Sequence, residues 1–147
     1  MSISDLRGAG APWQVAVMPP VIEEVEKVAL EFRERFRHLD GKTAFSAELL
    51  LREALLNAVI HGSRGDENRA VQCEVRARNG NLLIVVSDGG EGFDWRTRMT
   101  RVSTGQECTG RGLEIYRIYA NRVRFNTKGS RVALLKRGPE EVKRSEK

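Results

Sequence analysis

Three groups of residues have types and spacings suited to chemistry. Glu53, Asn57 and His61 recur at i, i+4 and i+8 in a leucine-rich stretch. On a helix they form one stripe. A carboxylate beside leucines is costly to bury unless it is paired or acts on something. The oxygens of Glu53 and Asn57 suit a hard cation such as magnesium. A polar stripe facing solvent has the same spacing, so the stripe alone does not decide. The second group, Asp88-Gly89-Gly90-Glu91-Gly92, follows the apolar run Leu82-Leu83-Ile84-Val85-Val86 directly. Glycines there let bare backbone approach something flat or tightly packed. An ionised Asp88 only accepts hydrogen bonds, so an amino group such as adenine's would suit it. A plain glycine-rich turn has the same composition. The third group is Thr109-Gly110-Arg111-Gly112-Leu113. At a helix start, free N–H groups and the helix dipole make a phosphate cradle. Arg111 can add a charge-assisted contact. An ordinary loop-to-helix junction reads alike.

The elements that must position these groups follow from periodicity. Trp13 to Val17 reads as a short strand. Pro19-Pro20 precede a helix whose Ile22, Val25, Ala29, Phe32 and Phe36 share one face. Asp40-Gly41 is expected to end that element. A second helix, apolar on most sides, is expected from about Phe45 to Ile60. In the strand VQCEVRAR, residues Val71, Cys73, Val75 and Ala77 should face inward. Asn79-Gly80 is a two-residue hairpin signal, and the apolar run after it suits a central strand. Residues 93–109 read as an irregular connection, with Cys108 in it. A helix is expected from Gly110 to Asn121, with Leu113, Ile115, Ile118 and Tyr119 as core contacts. Strand 123–127, a Lys128-Gly129 turn and strand 130–136 make a closing hairpin. The fold class is therefore α+β: a two-layer sandwich with a mostly antiparallel, mixed sheet and helices on one face. Residues 1–11 are expected to be a flexible N-terminus, 12–137 the working domain, and 138–147 a charged, frayed tail.

Composition limits the function classes. The 147 residues suit one domain with one core. No apolar run approaches the length of a membrane span, and the first residues lack a signal-peptide core. The two cysteines, Cys73 and Cys108, lack metal-ligand spacing, so neither a disulfide scaffold nor a zinc site is expected. A reducing, cytoplasmic setting is the expectation. The net charge of +5 is compatible with an anionic partner. Much of it, from Arg117 through Arg137, also reads as a solvated sheet edge. No DNA or RNA motif is recognisable, and aromatic residues for stacking are few, so no direct nucleic-acid contact is expected.

Taken in order, the motifs resemble the ATP-binding fold of the GHKL superfamily, which includes DNA gyrase and histidine kinases. Its N box, E-x-x-x-N-A, matches Glu53-Ala54-Leu55-Leu56-Asn57-Ala58. Its first glycine box, D-x-G-x-G, matches Asp88 to Gly92. Its second, G-x-G-L, matches Gly110-Arg111-Gly112-Leu113, and a G-[ST]-x-V strand matches Gly129-Ser130-Arg131-Val132. The likeness spans roughly residues 10–137. The run into His61-Gly62, the stretch Gly92-Phe93-Asp94 and the small stand-alone size are most similar to the bacterial anti-sigma factor serine kinases.

That resemblance implies roles. Glu53 would be the general base for a serine hydroxyl, and Asn57 would hold magnesium at the phosphates of ATP. Asp88 would bind the adenine amino group, with Gly90 and Gly92 admitting the base. Gly110, Arg111 and Gly112 would contact the phosphates, Ser130 on the final strand would join the nucleotide-binding residues, and residues 93–109 would form a lid. The lid is short, and its arginines Arg96, Arg98 and Arg101 have no assigned role. The implied partners are a sigma factor and an anti-anti-sigma antagonist that becomes phosphorylated, with a homodimer as the assembly. Two alternatives remain: a nucleotide-binding partner-switch module that transfers nothing, and a detached ATPase domain of a histidine kinase. A small basic nucleic-acid-binding domain is a third reading.

Overall fold

A computed structural model of the chain describes Ile3, Leu6 and residues 11–62, 69–88, 108–126 and 130–139; at 108–112 only the backbone is described. The described elements run β1 (Trp13–Val17), α1 (Ile22–Arg35), α2 (Gly41–Asn57), a π-helical turn (Ala58–Gly62), β2 (Val71–Arg78), β3 (Asn81–Ser87), α3 (Cys108–Tyr119), β4 (Arg122–Phe125) and β5 (Arg131–Lys136). The strands make one sheet in the order β1-β2-β3-β5-β4. Every neighbouring pair among the described strands is antiparallel.

β3 takes the centre because it is apolar on both faces, and the pleat sends alternate residues to opposite sides. Leu82, Ile84 and Val86 join Val71, Cys73, Val75, Val132 and Leu134 under the helices. Leu83 and Val85 join Ala133 and Leu135 on the other face, where Ile3 and Leu6 cover them. Both N-terminal residues are helical and buried. For these two the expectation of a loose N-terminus does not hold. The outer face of a doubly apolar strand needs a cover, so helical residues lie on both faces of the sheet. Ala77 is exposed, contrary to its expected inward place, because it lies near the hairpin end of β2. At the turn, Asn79 and Gly80 have φ of 54° and 81°, the two positive values a type I′ hairpin requires.

The helix boundaries differ from the sequence reading in instructive ways. Asp40 does not close α1, which ends at Arg35. It starts α2: its Oδ2 accepts from the Thr43 N–H at 3.1 Å and the Thr43 hydroxyl at 3.2 Å. An aspartate at this position satisfies a helix N–H that has no intrahelical partner. α2 therefore begins four residues earlier than the leucine pattern suggests. Ala47, Leu50, Leu51, Ala54 and Leu55 are buried beneath it. Ile22, at the first position of α1, is exposed, while Val25, Ala29, Phe32 and Phe36 are buried as expected. Trp13, Phe32 and Phe36 form an aromatic cluster with centroids 4.8–6.0 Å apart.

Ion pairs lace α1 to α2. Arg33 grips Glu48 with two bonds, Nε to Oε1 at 2.8 Å and Nη2 to Oε2 at 2.6 Å. Arg52 bridges Glu48 to Glu26. Gly138, the first residue of the expected tail, is tied to the fold: its N–H donates to Asn81 Oδ1 at 2.9 Å. A Cβ there would lie 2.5 Å from the Gly80 carbonyl oxygen, so this contact needs glycine. No helix among the described residues is long and apolar enough to cross a membrane.

Candidate functional site

α2 carries Glu53 and Asn57 one turn apart, both half-buried. The stripe arises because the leucines occupy the other directions of the helix. After Asn57 the helix widens into the π turn that contains half-buried His61. Such turns inside or at the end of helices are frequent at functional sites. α2 packs against α3, β3 and β5.

α3 begins at Cys108, two residues before the expected start, so Cys108 is helical rather than part of a loop. Gly110 therefore lies within the first turn, where N–H groups lack intrahelical acceptors. Arg111 and Gly112 follow in the same helix. The core contacts of α3 also differ from expectation. Leu113 is buried as predicted, but Ile118 is 64% exposed and Tyr116 is 1% exposed. Ile115 and Tyr119 are partly buried against the core. The apolar count favoured Ile118; packing chose Tyr116, one turn after Gly112.

Tyr116 ties the two helices. The Asn57 amide nitrogen donates to the Tyr116 hydroxyl at 3.1 Å. The ring also meets Phe125 of β4, with centroids 6.4 Å apart. Burial pushes the phenol's pKa far up; the hydrogen bond from Asn57 opposes that shift and the negative charge of Glu53 adds to it. The phenol thus stays protonated, and its hydroxyl stands beside the Asn57 amide.

The other half of the site is built on strands. Asp88 follows β3 and is 8% exposed, the sole buried acid among the described residues. Its backbone N–H donates to the Ser130 carbonyl at 3.0 Å. Ser130 is fixed in turn by Asn126, whose Oδ1 accepts from the N–H groups of Ser130 at 2.9 Å and Arg131 at 3.2 Å. The Asn126 amide donates to Ser130 Oγ at 3.1 Å. Asn126 was not singled out in the sequence; its place just before a strand-to-strand turn, where such side chains bond nearby backbone, was the available signal.

The structure therefore brings Asn57 to Tyr116, with Glu53 one turn earlier on α2, and Asp88 to Ser130. Gly90, Gly92 and the expected lid through residue 107, including Arg96, Arg98 and Arg101, lie outside the described residues. Cys73 takes no part: it is buried on the inner face, and burial, followed by the Glu74 charge, pushes its thiol up to about 12.

A conserved-domain comparison agrees with this geometry. The family described as the histidine kinase-like ATPase domain matches residues 18–136, most of the chain. The chain belongs to that family, and the α+β sandwich with an antiparallel sheet is the fold its motifs implied. It is an ATP-binding, kinase-like domain. None of the curated proteins compared with the chain matches it.

The donors present fit magnesium. Asn57 commits its amide nitrogen to Tyr116, and its carbonyl oxygen is a hard donor of the kind magnesium takes. Among the described residues no group of three or more His, Cys, Asp or Glu could hold a metal. An ion there would draw most of its shell from phosphate oxygens and water, as magnesium does in nucleotide sites.

Proposed function

We propose that the domain is an ATP-dependent protein serine kinase of the partner-switching type. It binds a sigma factor, and its phosphoryl acceptor is a serine on an anti-anti-sigma antagonist. The observation that carries this reading is the pairing on α2 of a carboxylate and an amide one turn apart. The amide is bonded to the helix that bears Gly110 and Gly112. The motif likeness through His61-Gly62 supports the anti-sigma assignment over other kinase-like ATPases.

In this reading Asp88 accepts from the adenine amino group and the first turn of α3 receives phosphate. Asn57 holds magnesium, which neutralises phosphate charge when bound. Glu53 accepts the proton of the incoming serine hydroxyl. The serine oxygen forms its bond to the γ-phosphorus as the bond to the bridging oxygen of ADP breaks, and ADP leaves. The assembly is a homodimer in the cytoplasm, and the antagonist is released on modification. Phosphorylation would end the antagonist's hold on the kinase through differential affinity for two states.

The test is a phosphotransfer time course with ATP and a cognate antagonist. Glu53→Gln should bind ATP nearly normally and lose roughly 10²- to 10⁴-fold in transfer rate, the usual contribution of a general base. Transfer at the wild-type rate would defeat the base assignment. No transfer by the wild-type protein, with ATP and antagonist both bound, would favour the module that transfers nothing.

A further inference from the structure

The resemblance assigns no role to Tyr116, yet a hydroxyl at its position needs explaining. At 1% exposure, with its ring against Phe125, a phenylalanine would fill the space. A buried hydroxyl is costly unless it finds a partner. Here the partner is the Asn57 amide, 3.1 Å away on another helix.

The direction of that bond matters. An asparagine amide has two chemically different ends, an oxygen that accepts and a nitrogen that donates. Only the oxygen can coordinate a cation. Rotation by half a turn about the last side-chain bond exchanges them and would present N–H groups to the metal. In the observed arrangement the nitrogen is committed to Tyr116. A tyrosine hydroxyl can accept from the nitrogen or donate to the oxygen, so with the oxygen drawn to a cation it accepts from the nitrogen, as observed. The ring is anchored by the core, so the bond fixes where the Asn57 side chain stands.

We propose that Tyr116 is a positioning residue: its hydroxyl holds the Asn57 side chain in the place from which its carbonyl oxygen meets the nucleotide's divalent cation. This rests on the reading of Asn57 as the metal-holding residue. It goes further by making metal recognition on α2 depend on α3, the helix that starts with Gly110. The link passes through the Asn57–Tyr116 hydrogen bond, so the seating of α3 and the place of the Asn57 side chain are coupled.

Tyr116→Phe keeps the ring and removes the hydroxyl. Calorimetry with ATP should show a loss of roughly three- to tenfold in magnesium, the worth of one hydrogen bond, and little change in chelator. In an Asn57→Ala background the same substitution should add nothing. A purely structural role would weaken binding equally with and without metal and lower the unfolding temperature in parallel. Independently of any nucleotide, the Asn57 side-chain amide resonances of the free protein should shift in Tyr116→Phe. Wild-type magnesium dependence in Tyr116→Phe, where Asn57→Ala loses that dependence, overturns the proposal. So do unmoved Asn57 amide resonances. If Asn57→Ala itself shows no magnesium-specific loss, the metal reading of Asn57 falls and the positioning proposal falls with it; shifted amide resonances would then leave only a hydrogen bond without that role.

Discussion

Asn57 reaches across to Tyr116 through a single side-chain hydrogen bond between two helices, whereas Ser130 is held from several sides at once. On the strand side the Asp88 N–H, the Asn126 side chain and the β3–β5 ladder all converge on one stretch of backbone. On the helix side, position depends on how α1, α2 and α3 lie on the sheet. That layer is seated by burial of leucines and by the Arg33–Glu48–Arg52–Glu26 ladder. Backbone pairing is redundant, so loss of one bond leaves the geometry over-determined. A side-chain link between helices has no such reserve. The two halves should therefore answer differently to mutation: on the strand side the geometry survives the loss of any one bond, and on the helix side it depends on individual side chains.

The largest effect expected on the strand side is on binding. Asp88→Asn removes a buried negative charge while leaving the backbone bond to Ser130 in place. Losing a charge-assisted hydrogen bond should weaken ATP by about 1.5–3 kcal/mol. Calorimetry would measure this, with circular dichroism to show the fold retained. Unchanged affinity would take Asp88 out of the site and leave the strand half without a ligand contact.

A smaller effect tests the redundancy itself. Asn126→Ala removes the side-chain bonds to Ser130 and Arg131 but not the Asn126 N–H bond to the Arg131 carbonyl at 3.0 Å. These groups are exposed, so the loss of stability in urea should be about 1 kcal/mol or less. Amide exchange should quicken at Ser130 and Arg131 while the rest of β5 keeps its protection. A loss several times larger would mean that the strand half, too, hangs on one side chain.

The smallest effect concerns how α1 seats α2, and it is read through pH. The hydrogen bond from Arg33 is the leading cause of a lowered Glu48 pKa; burial opposes it, and Arg52 assists. A lowered folded pKa gives stability that is present above the ordinary carboxylate range. It is lost as pH falls through the folded value. Urea midpoints should therefore drop on acidification, and Glu48→Gln should flatten that acid limb while lowering stability slightly at neutral pH. Arg33 is largely exposed, so the effect is screened by solvent and should weaken with salt. An acid limb unchanged in Glu48→Gln would show that the ladder does not seat the helix.

Local chemistry was enough for the features that depend on it. Asn79-Gly80 can take two positive φ values where few other residues can, so the hairpin was legible before any tertiary contact was known. The run from Leu82 to Val86 has no polar face, and only a central strand or a buried helix accommodates that. Four-residue spacing puts Glu53 and Asn57 on one side of any helix that holds them. The glycine boxes were legible as motifs, since backbone approach and free N–H groups at a helix start need particular residues at particular spacings.

What required the folded chain was every choice between partners. Asp40 could close one helix or open the next; the Thr43 N–H, reachable only once α2 forms, decided for the second. Ile118 and Tyr116 lie two positions apart on α3, so they cannot share a face. Tyr116 shares the buried face with Leu113, three positions earlier, so the more apolar Ile118 turns outward, and Asn57 gives the buried phenol a partner. Ile3 and Leu6 carry no periodic signal long enough to read, and they became core because β3 and β5 left an apolar outer face to cover. Helical and strand periods are written along the chain. The identity of the group across a contact is set by residues tens of positions away, and only packing brings them together.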